Sequence, residues 1–326
     1  MTNLPTFADL CDSHRRATLG LYGPKGTAWG LWGQEDNFGT LNLLTEETVK
    51  KASTGIRHGR LFSLNLPVDA PKPTLFKRKT VQHQIISFKD DIVFDDQYDH
   101  FNPQSSTQWD GLRHAGFVSE NKFYGGIESK EFLPGPDATG RLGIHHMAQR
   151  GIAGRAVLLD YGRWADIHKP EFDALKRNDI TVAELDQVAA YQDVTFEQGD
   201  ILLIRVGWTK AFETNQHQIE QLVDVDNPAS SGVKACEETY RWFWDHHFSA
   251  VISDNPSFEA YPIRELADSC HAYFLGGWGM PIGELAYLEK LADDSAEDKV
   301  YESFFTSAPI HKEGGVSSPI NGLCIK

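Results

Sequence analysis

Between Gln104 and His114 the chain reads Gln-Ser-Ser-Thr-Gln-Trp-Asp-Gly-Leu-Arg-His. An extended run over 104–110 alternates its side chains between two faces. Gln104, Ser106, Gln108 and Asp110 then share one face, while Thr107 and Trp109 take the other. Gly111 permits a bend, after which His114 can return towards Asp110. The product is a set of oxygen donors with one imidazole beside it. Burying such a face is costly unless each polar group finds a partner. The amides and the carboxylate suit the holding of a ligand, and an imidazole titrates close enough to neutrality to move a proton. The plain alternative is an edge strand with a solvated polar face and a histidine that merely hydrogen-bonds Asp110. The segment by itself leaves both open.

Strands and helices must position these groups. The strand candidates are Leu61–Leu66, Gln84–Phe88, Ala156–Leu159, Asp200–Val206 and Ser249–Ser253. Several are continuous apolar runs, as expected of strands covered on both faces. Helices announce themselves by their caps. Thr45 precedes Glu46 and Glu47, acids that the first turn favours. Thr181-Val-Ala-Glu184 forms a capping box ahead of Leu185, Val188 and Ala189. Ser231–His247 reads as an aromatic-rich helix, and Pro281 as the start of another, with Leu285, Leu288 and Ala292 at helical spacing. The class is mixed α and β, in a single domain over 21–326 after an N-terminal arm over 1–20. The patterns do not fix the sheet topology. Two long segments read as irregular, Lys89–Ser106 and Tyr124–Arg141. The first holds Asp90, Asp91, Asp95, Asp96 and Asp99, whose spacing does not fit a calcium loop; a solvated acidic loop is the commoner outcome.

Three further residues carry weaker signals. His145 and His146 open a helix, where adjacent side chains diverge, so at most one of them faces a site. Asp254 follows an apolar run, at a strand end of the kind that lines clefts; a turn built on Asp-Asn-Pro is the competing reading.

Composition excludes some classes. The chain has 326 residues, 40% of them hydrophobic, and a formal charge of −15. That balance disfavours nucleic acid and an anionic membrane surface, both of which select clustered Lys and Arg. Cys11, Cys236, Cys270 and Cys324 are scattered, as reduced thiols are. The opening MTNLPTFADLCDSHRR lacks a basic region followed by an apolar run, so a cytoplasmic location is expected.

The chain resembles the cyclase family, the kynurenine-formamidase-like and isatin-hydrolase-like metal-dependent hydrolases. That family carries His-x-Gly-Thr-His-x-Asp-x-Pro-x-His, in which the first two His and the Asp bind a divalent metal and the last His is an acid/base. Here Thr107, Asp110 and His114 match, Ser106 stands for the Gly, Leu112 for the Pro, and Gln104 and Gln108 for the two ligand His residues. This looks like the family's QSGTQWD branch. The blocks WGLWGQEDNFGTLNLL (29–44), GIAGRAVLLDYGRW (151–164), SDNPSFE (253–259) and GGVSSPIN (314–321) extend the likeness over most of the chain.

The resemblance implies a barrel-like sheet flanked by helices, the swivelling β/β/α fold. It implies hydrolysis of an amide, lactam or lactone-like carbonyl of a small cyclic or aromatic molecule, with Asp110 and His114 catalytic and His114 as general acid/base. His271 and Glu284 fit residues that approach the metal from the opposite side. The expected ligands are Asp110, Gln108, His271 and Glu284, holding Mn or Zn, with a metal-free site as the alternative. Gln104, Gln108, Trp109, Trp278 and His146 are the expected substrate contacts, and a homo-oligomer, dimer or tetramer, is the expected assembly. Two rivals stand beside this reading: a metal-independent lyase, dehydratase or cyclase, and a silent small-molecule-binding homologue.

Overall fold

The computed structural model describes residues 4–136 and 138–326. Its strands are β1 (Leu61–Ser63), β2 (Gln82–Phe88), β3 (Val93–Asp99), β4 (Gln108–Asp110), β5 (Ile152–Leu159), β6 (Asp179–Ile180), β7 (Ile201–Ile204), β8 (Gly232–Val233), β9 (Ala250–Ser253), β10 (Ile282–Glu284), β11 (Glu302–Ser307), β12 (Ser317–Pro319) and β13 (Gly322–Ile325). Nine of them form one sheet in the order β1-β13-β11-β5-β7-β9-β10-β4-β12, curled into a half-barrel and flanked by helices. The four in the middle, β5, β7, β9 and β10, run parallel. Every residue of β7 and β9 is buried, which is why these runs are apolar throughout. The outer strands pair antiparallel, including β4 with both β10 and β12.

The caps behave as the sequence suggests. Thr45 accepts a hydrogen bond from Thr48 N at the start of the helix Glu46–Ser53. Thr181 and Glu184 complete the capping box of Val182–Gln192. Three expectations fail. Pro281 starts no helix: residues 282–284 are β10, wedged between β9 and β4, and the helix lies at Glu289–Asp298. Ladder pairing on both sides outweighs a local preference for a first turn. The aromatic helix is shorter, Glu237–Asp245, because β8 precedes it. Lys89–Ser106 is not irregular either: β3 pairs with β2 in a projecting hairpin through a turn at Asp90 and Asp91, both at positive φ. Its acids spread along an exposed strand, where Asp96 meets His83 and Asp99 meets Gln84. They do not converge on an ion site.

Residues near the N-terminus pack on the chain's own core. Phe7 stacks edge-on against Trp278, and Arg16 donates to the carbonyls of Leu10, Tyr22 and Thr27. No helix among the described residues is long and apolar enough to cross a membrane.

One close approach fixes the depth at which two site segments meet. Gly276 lies in a π-helical turn, Ala272–Trp278, that follows His271. A Cβ on Gly276 would sit 2.2 Å from Phe117 N and 2.4 Å from Gly116 C, on the segment that follows His114. Backbone cannot yield as a flexible side chain can. Gly276→Ala should therefore destabilise the protein by about 2–3 kcal/mol, read as a lower urea midpoint at unchanged slope. An unchanged midpoint would show that the two segments are not in contact.

Candidate functional site

The site is built from β4 outward. Its three residues are fully buried or nearly so, with Gln108 and Asp110 on one face and Trp109 on the other. The register sets Glu284 of β10 directly across from Gln108. Cross-strand neighbours on one face are within side-chain reach, and Gln108 Nε2 donates to Glu284 Oε2 at 2.7 Å. Only Gln108–Asp110 is strand. Gln104 instead reaches the same face from a tight loop, where its N–H is held by Asn102 Oδ1. Its Nε2 donates to Asp110 Oδ1 at 2.5 Å and to His114 Nδ1 at 3.0 Å. The bend expected at Gly111 is present, closed by His114 N donating to Gly111 O. A Cβ at Gly111 would lie 2.6 Å from Val316 O, so the bend needs glycine. Ser106 and Thr107 are spent on the backbone of Pro67 and Leu285.

His271 comes from the other side. Its Nδ1 donates to Glu259 Oε2 at 2.8 Å, which turns Nε2 inward, 3.3 Å from Glu284 Oε1 and 3.7 Å from Asp110 Oδ2. Glu284 Oε1 also accepts Phe258 N. His114 Nε2 stands 3.8 Å from Asp110 Oδ1. One ligand-type atom from each of Asp110, His114 and His271 falls within 4.8 Å of the others. Asp110 Oδ2 is buried and has no hydrogen-bond partner among the described residues.

The electrostatics follow from three carboxylates out of reach of water. Burial would raise Asp110, but His114 and His271 beside it hold it below its ordinary value. Burial lifts Glu284, and Asp110 adds to the lift. Burial also works on Glu259, and His271 overcomes it. Burial opposes a charged His271, yet Glu259, with Asp110 and Glu284, more than offsets that and holds the ring well above its ordinary pKa. For His114 burial prevails over Asp110, and the ring is pushed down. Neither Glu259 nor Arg78 stood out in the sequence. Glu259 closes the SDNPSFE block, so its acid was visible but its partner, twelve residues on, was not. Arg78 sits in a basic run with no motif, and its Nη1 donates to Gln104 O and to Gln108 Oε1.

That contact corrects one expectation. Gln108 has its oxygen on Arg78 and its amide hydrogens on Glu284. Turning the amide over would set nitrogen against guanidinium and oxygen against carboxylate. Gln108 is thus placed to orient Glu284, with its oxygen turned to Arg78. Two aromatic expectations also change. Trp109 is wholly buried, with Nε1 on Ser307 Oγ and its ring against Phe305. Trp278 is wholly buried, donates to Gly26 O and stacks on Phe274. Both are core residues: Trp109 because the face of β4 opposite Asp110 packs inward, Trp278 because the π-helical turn that ends with it packs against Phe7 and Trp244. His146 bonds Gly140 O and His145 accepts from Gly314 N; neither is among the contacts of the Asp110 cluster. Asp254 is at the end of β9 as expected, but its oxygens cap Val206 N and Gly207 N. A cavity of about 1090 Å³ lies elsewhere, among Lys51, Arg155, Glu197, Asp200 and Glu302, whose charges pair with one another.

Known proteins can be set beside this geometry. A family model named Cyclase matches residues 47–260. No curated protein sequence matches the chain. A crystal structure described as a novel cyclase is 28% identical, with a TM-score of 0.79 over 92% of this chain and 99% of its own. Isatin hydrolase A from Labrenzia aggregata, bound to benzyl benzoate, is 14% identical, with a TM-score of 0.59 over 87% and 98%. Isatin hydrolase A from Ralstonia solanacearum is 16% identical, with a TM-score of 0.56 over 82% and 92%. At those two identities the likeness is one of fold. The family model spans most of the chain, from the helix capped by Thr45 to Glu259 and its neighbour, and the chain belongs to the cyclase family.

Proposed function

We propose that the chain is a hydrolase that opens an amide, lactam or lactone-like carbonyl with the help of a divalent cation. The observation that carries this is the buried, unpartnered Asp110 Oδ2 facing His271 Nε2. Asp110, His271 and Glu284 would hold the ion, a donor set of one imidazole and two carboxylates that suits Mn or Zn. Charge supports the same reading. Three buried carboxylates gather around His271, which they hold charged in the absence of an ion; a dication would take the place of that proton and leave the ring neutral as a ligand. Such an ion polarises a carbonyl and lowers the pKa of water.

The chain's own residues do the rest. Glu259 holds His271 Nδ1–H, so that Nε2 presents its lone pair. Gln108 holds Glu284. Gln104 donates to His114 Nδ1, which leaves the proton of the neutral ring on Nε2. The neutral ring is thereby set to donate a hydrogen bond from Nε2 to the carbonyl oxygen; only after it has taken a proton from water can it return one to the departing atom. To accept a proton and cycle as acid and base it must give up the Gln104 bond, a net cost of about 1 kcal/mol, small against the rate gained.

The amides at 104 and 108 also favour a second reading, a metal-free lyase or cyclase or a silent binder, since the family's two ligand His residues are absent. Metal analysis of protein purified without added metal separates them. We expect turnover of isatin, or of simple lactams and lactones, to disappear on chelation and return with Mn or Zn. Turnover indifferent to chelation would remove the metal from the mechanism. Glu259→Gln should weaken metal binding by about 10- to 100-fold, measured by competition with a chromogenic chelator; equal affinity would sever the link from Glu259 to the site. His114→Ala, shown to be folded by circular dichroism, should lose about 10²- to 10⁴-fold in turnover while keeping its metal. Undiminished turnover would take His114 out of the chemistry.

A further inference from the structure

We propose that Arg78 is the anchor for an anionic group, so that the substrate is a small carboxylic acid whose carboxylate sits on the guanidinium while its susceptible carbonyl lies at Asp110 and His114. The placing of that carbonyl rests on the hydrolase reading; the anion anchor does not.

Arg78 is half-buried and uses only part of its guanidinium within the chain. Its Nη1 donates to Gln104 O and Gln108 Oε1, and its guanidinium lies 5.0 Å over the Phe76 ring. Nε and Nη2, which carry three of its five hydrogens, have no partner among the described residues. Arg205, Arg155 and Arg113 by contrast use both ends of the guanidinium. Arg205 is bidentate on Glu289 and also bonds Asp160. Arg155 pairs with Asp200 and Glu302. Arg113 donates to three backbone carbonyls. The charge of Arg78 is felt by Asp110, His114 and Glu284. Even so, it forms no ion pair with either carboxylate. Its Nε and Nη2 are therefore open to meet an incoming anion.

The geometry is also preset. Nη1 is fixed by two acceptors, the Phe76 face fixes the plane, and Phe76 in turn stands edge-on to Tyr261 at 5.3 Å. A held guanidinium presents Nε and Nη2 as a fork that matches the two oxygens of a carboxylate. Supporting Gln104 and Gln108 requires only Nη1. The surroundings make the fork necessary as well as available. Asp110, Glu259 and Glu284 would repel an acid that entered without a cation to meet it. The segment that carries Arg78 is basic in an otherwise acidic chain: Lys72, Lys77, Arg78 and Lys79 fall within eight residues. Lys72 and Lys77 are paired with Asp69 and Asp226, while Lys79 is exposed. Such a run steers anions inward.

Benzoate and benzamide, alike in shape and different in charge, are the probes. Titration calorimetry on the full chain, as purified and again after chelation, compares the parent with Arg78→Gln and Arg78→Lys. The parent should bind benzoate more tightly than benzamide. Arg78→Gln should lose about 10- to 100-fold for benzoate, the range of a charge-assisted pair, with benzamide unchanged. Arg78→Lys, which keeps the charge without the fork, should fall between. The loss should appear with and without chelation. No preference for benzoate in the parent, or equal benzoate binding in Arg78→Gln, would overturn the proposal. So would a loss seen only before chelation, or a loss of both ligands alike in the two variants, which would make Arg78 a support for the amides. The measurement needs no turnover: a protein that holds benzoate through Arg78 yet hydrolyses nothing abandons the hydrolase and keeps the anchor.

Discussion

The structure is organised around a carboxylate that the fold refuses to solvate. Asp110 sits at the end of a three-residue strand with a partner strand on each side, and none of its surface reaches water. An ionised acid in that position carries a desolvation penalty of several kcal/mol. Gln104 satisfies one oxygen and the other is left bare. Natural interiors rarely tolerate a bare buried acceptor without a purpose. The strain is sustained by the sheet itself: β4 cannot slip by one residue without turning Asp110 into the core and Trp109 into the site.

The two glutamines acquire their roles from that carboxylate. In the family's pattern these positions carry metal-binding imidazoles. Here each amide has its direction set by a charged neighbour. Asp110 draws the Gln104 nitrogen towards itself, and the same nitrogen then determines which ring atom of His114 holds the proton. Glu284 draws the Gln108 nitrogen, which leaves the oxygen for Arg78. Exchanging His for Gln thus converts ligands into relays. The electrostatic consequence is that an arginine can approach an acidic cluster without collapsing onto it, because an amide stands between them.

Much of this was legible from residue types and spacing, and the remainder fails for identifiable reasons. The pairing of Asp110 with His114 is local: a polar strand face, a glycine and a four-residue return, all within reach of an alternation rule. The central strands were legible because double burial leaves an apolar run with no alternation. Gln104 joined the cluster for a reason other than the one that suggested it, since its segment is a loop and its side chain arrives by folding back. Glu284 lies in a stretch that reads as a helix opening at Pro281, but β9 and β4 flank those residues and impose a strand. Trp109 and Trp278 have the amphipathic character of ligand contacts, and only packing shows that their N–H groups are already used inside the core. Glu259 and Arg78 depend on contacts across the fold, from twelve to thirty residues away in sequence, which no local pattern encodes.

The carboxyl ends of the parallel strands provide an internal control for reading this site. Two ionic clusters are buried there. Around Arg205, the charges close on one another: Glu289 takes two of its donors, Asp160 a third, and Asp160 also holds Arg163. Beside it Asp254 is lifted by burial to about 7, against the pull of Arg205, and spends its oxygens on Val206 and Gly207 N–H groups. That cluster ties strand ends together and leaves no charged group unmatched. Around Asp110 the matching stops short. One carboxylate oxygen has no donor, one guanidinium keeps an unused edge, and two imidazole nitrogens face inward. Both clusters set buried carboxylates at strand ends with an arginine nearby. What separates a structural knot from a place where chemistry can happen is the remainder left after internal pairing, and here that remainder is an acceptor and two ring nitrogens within 3.8 Å of the same carboxylate.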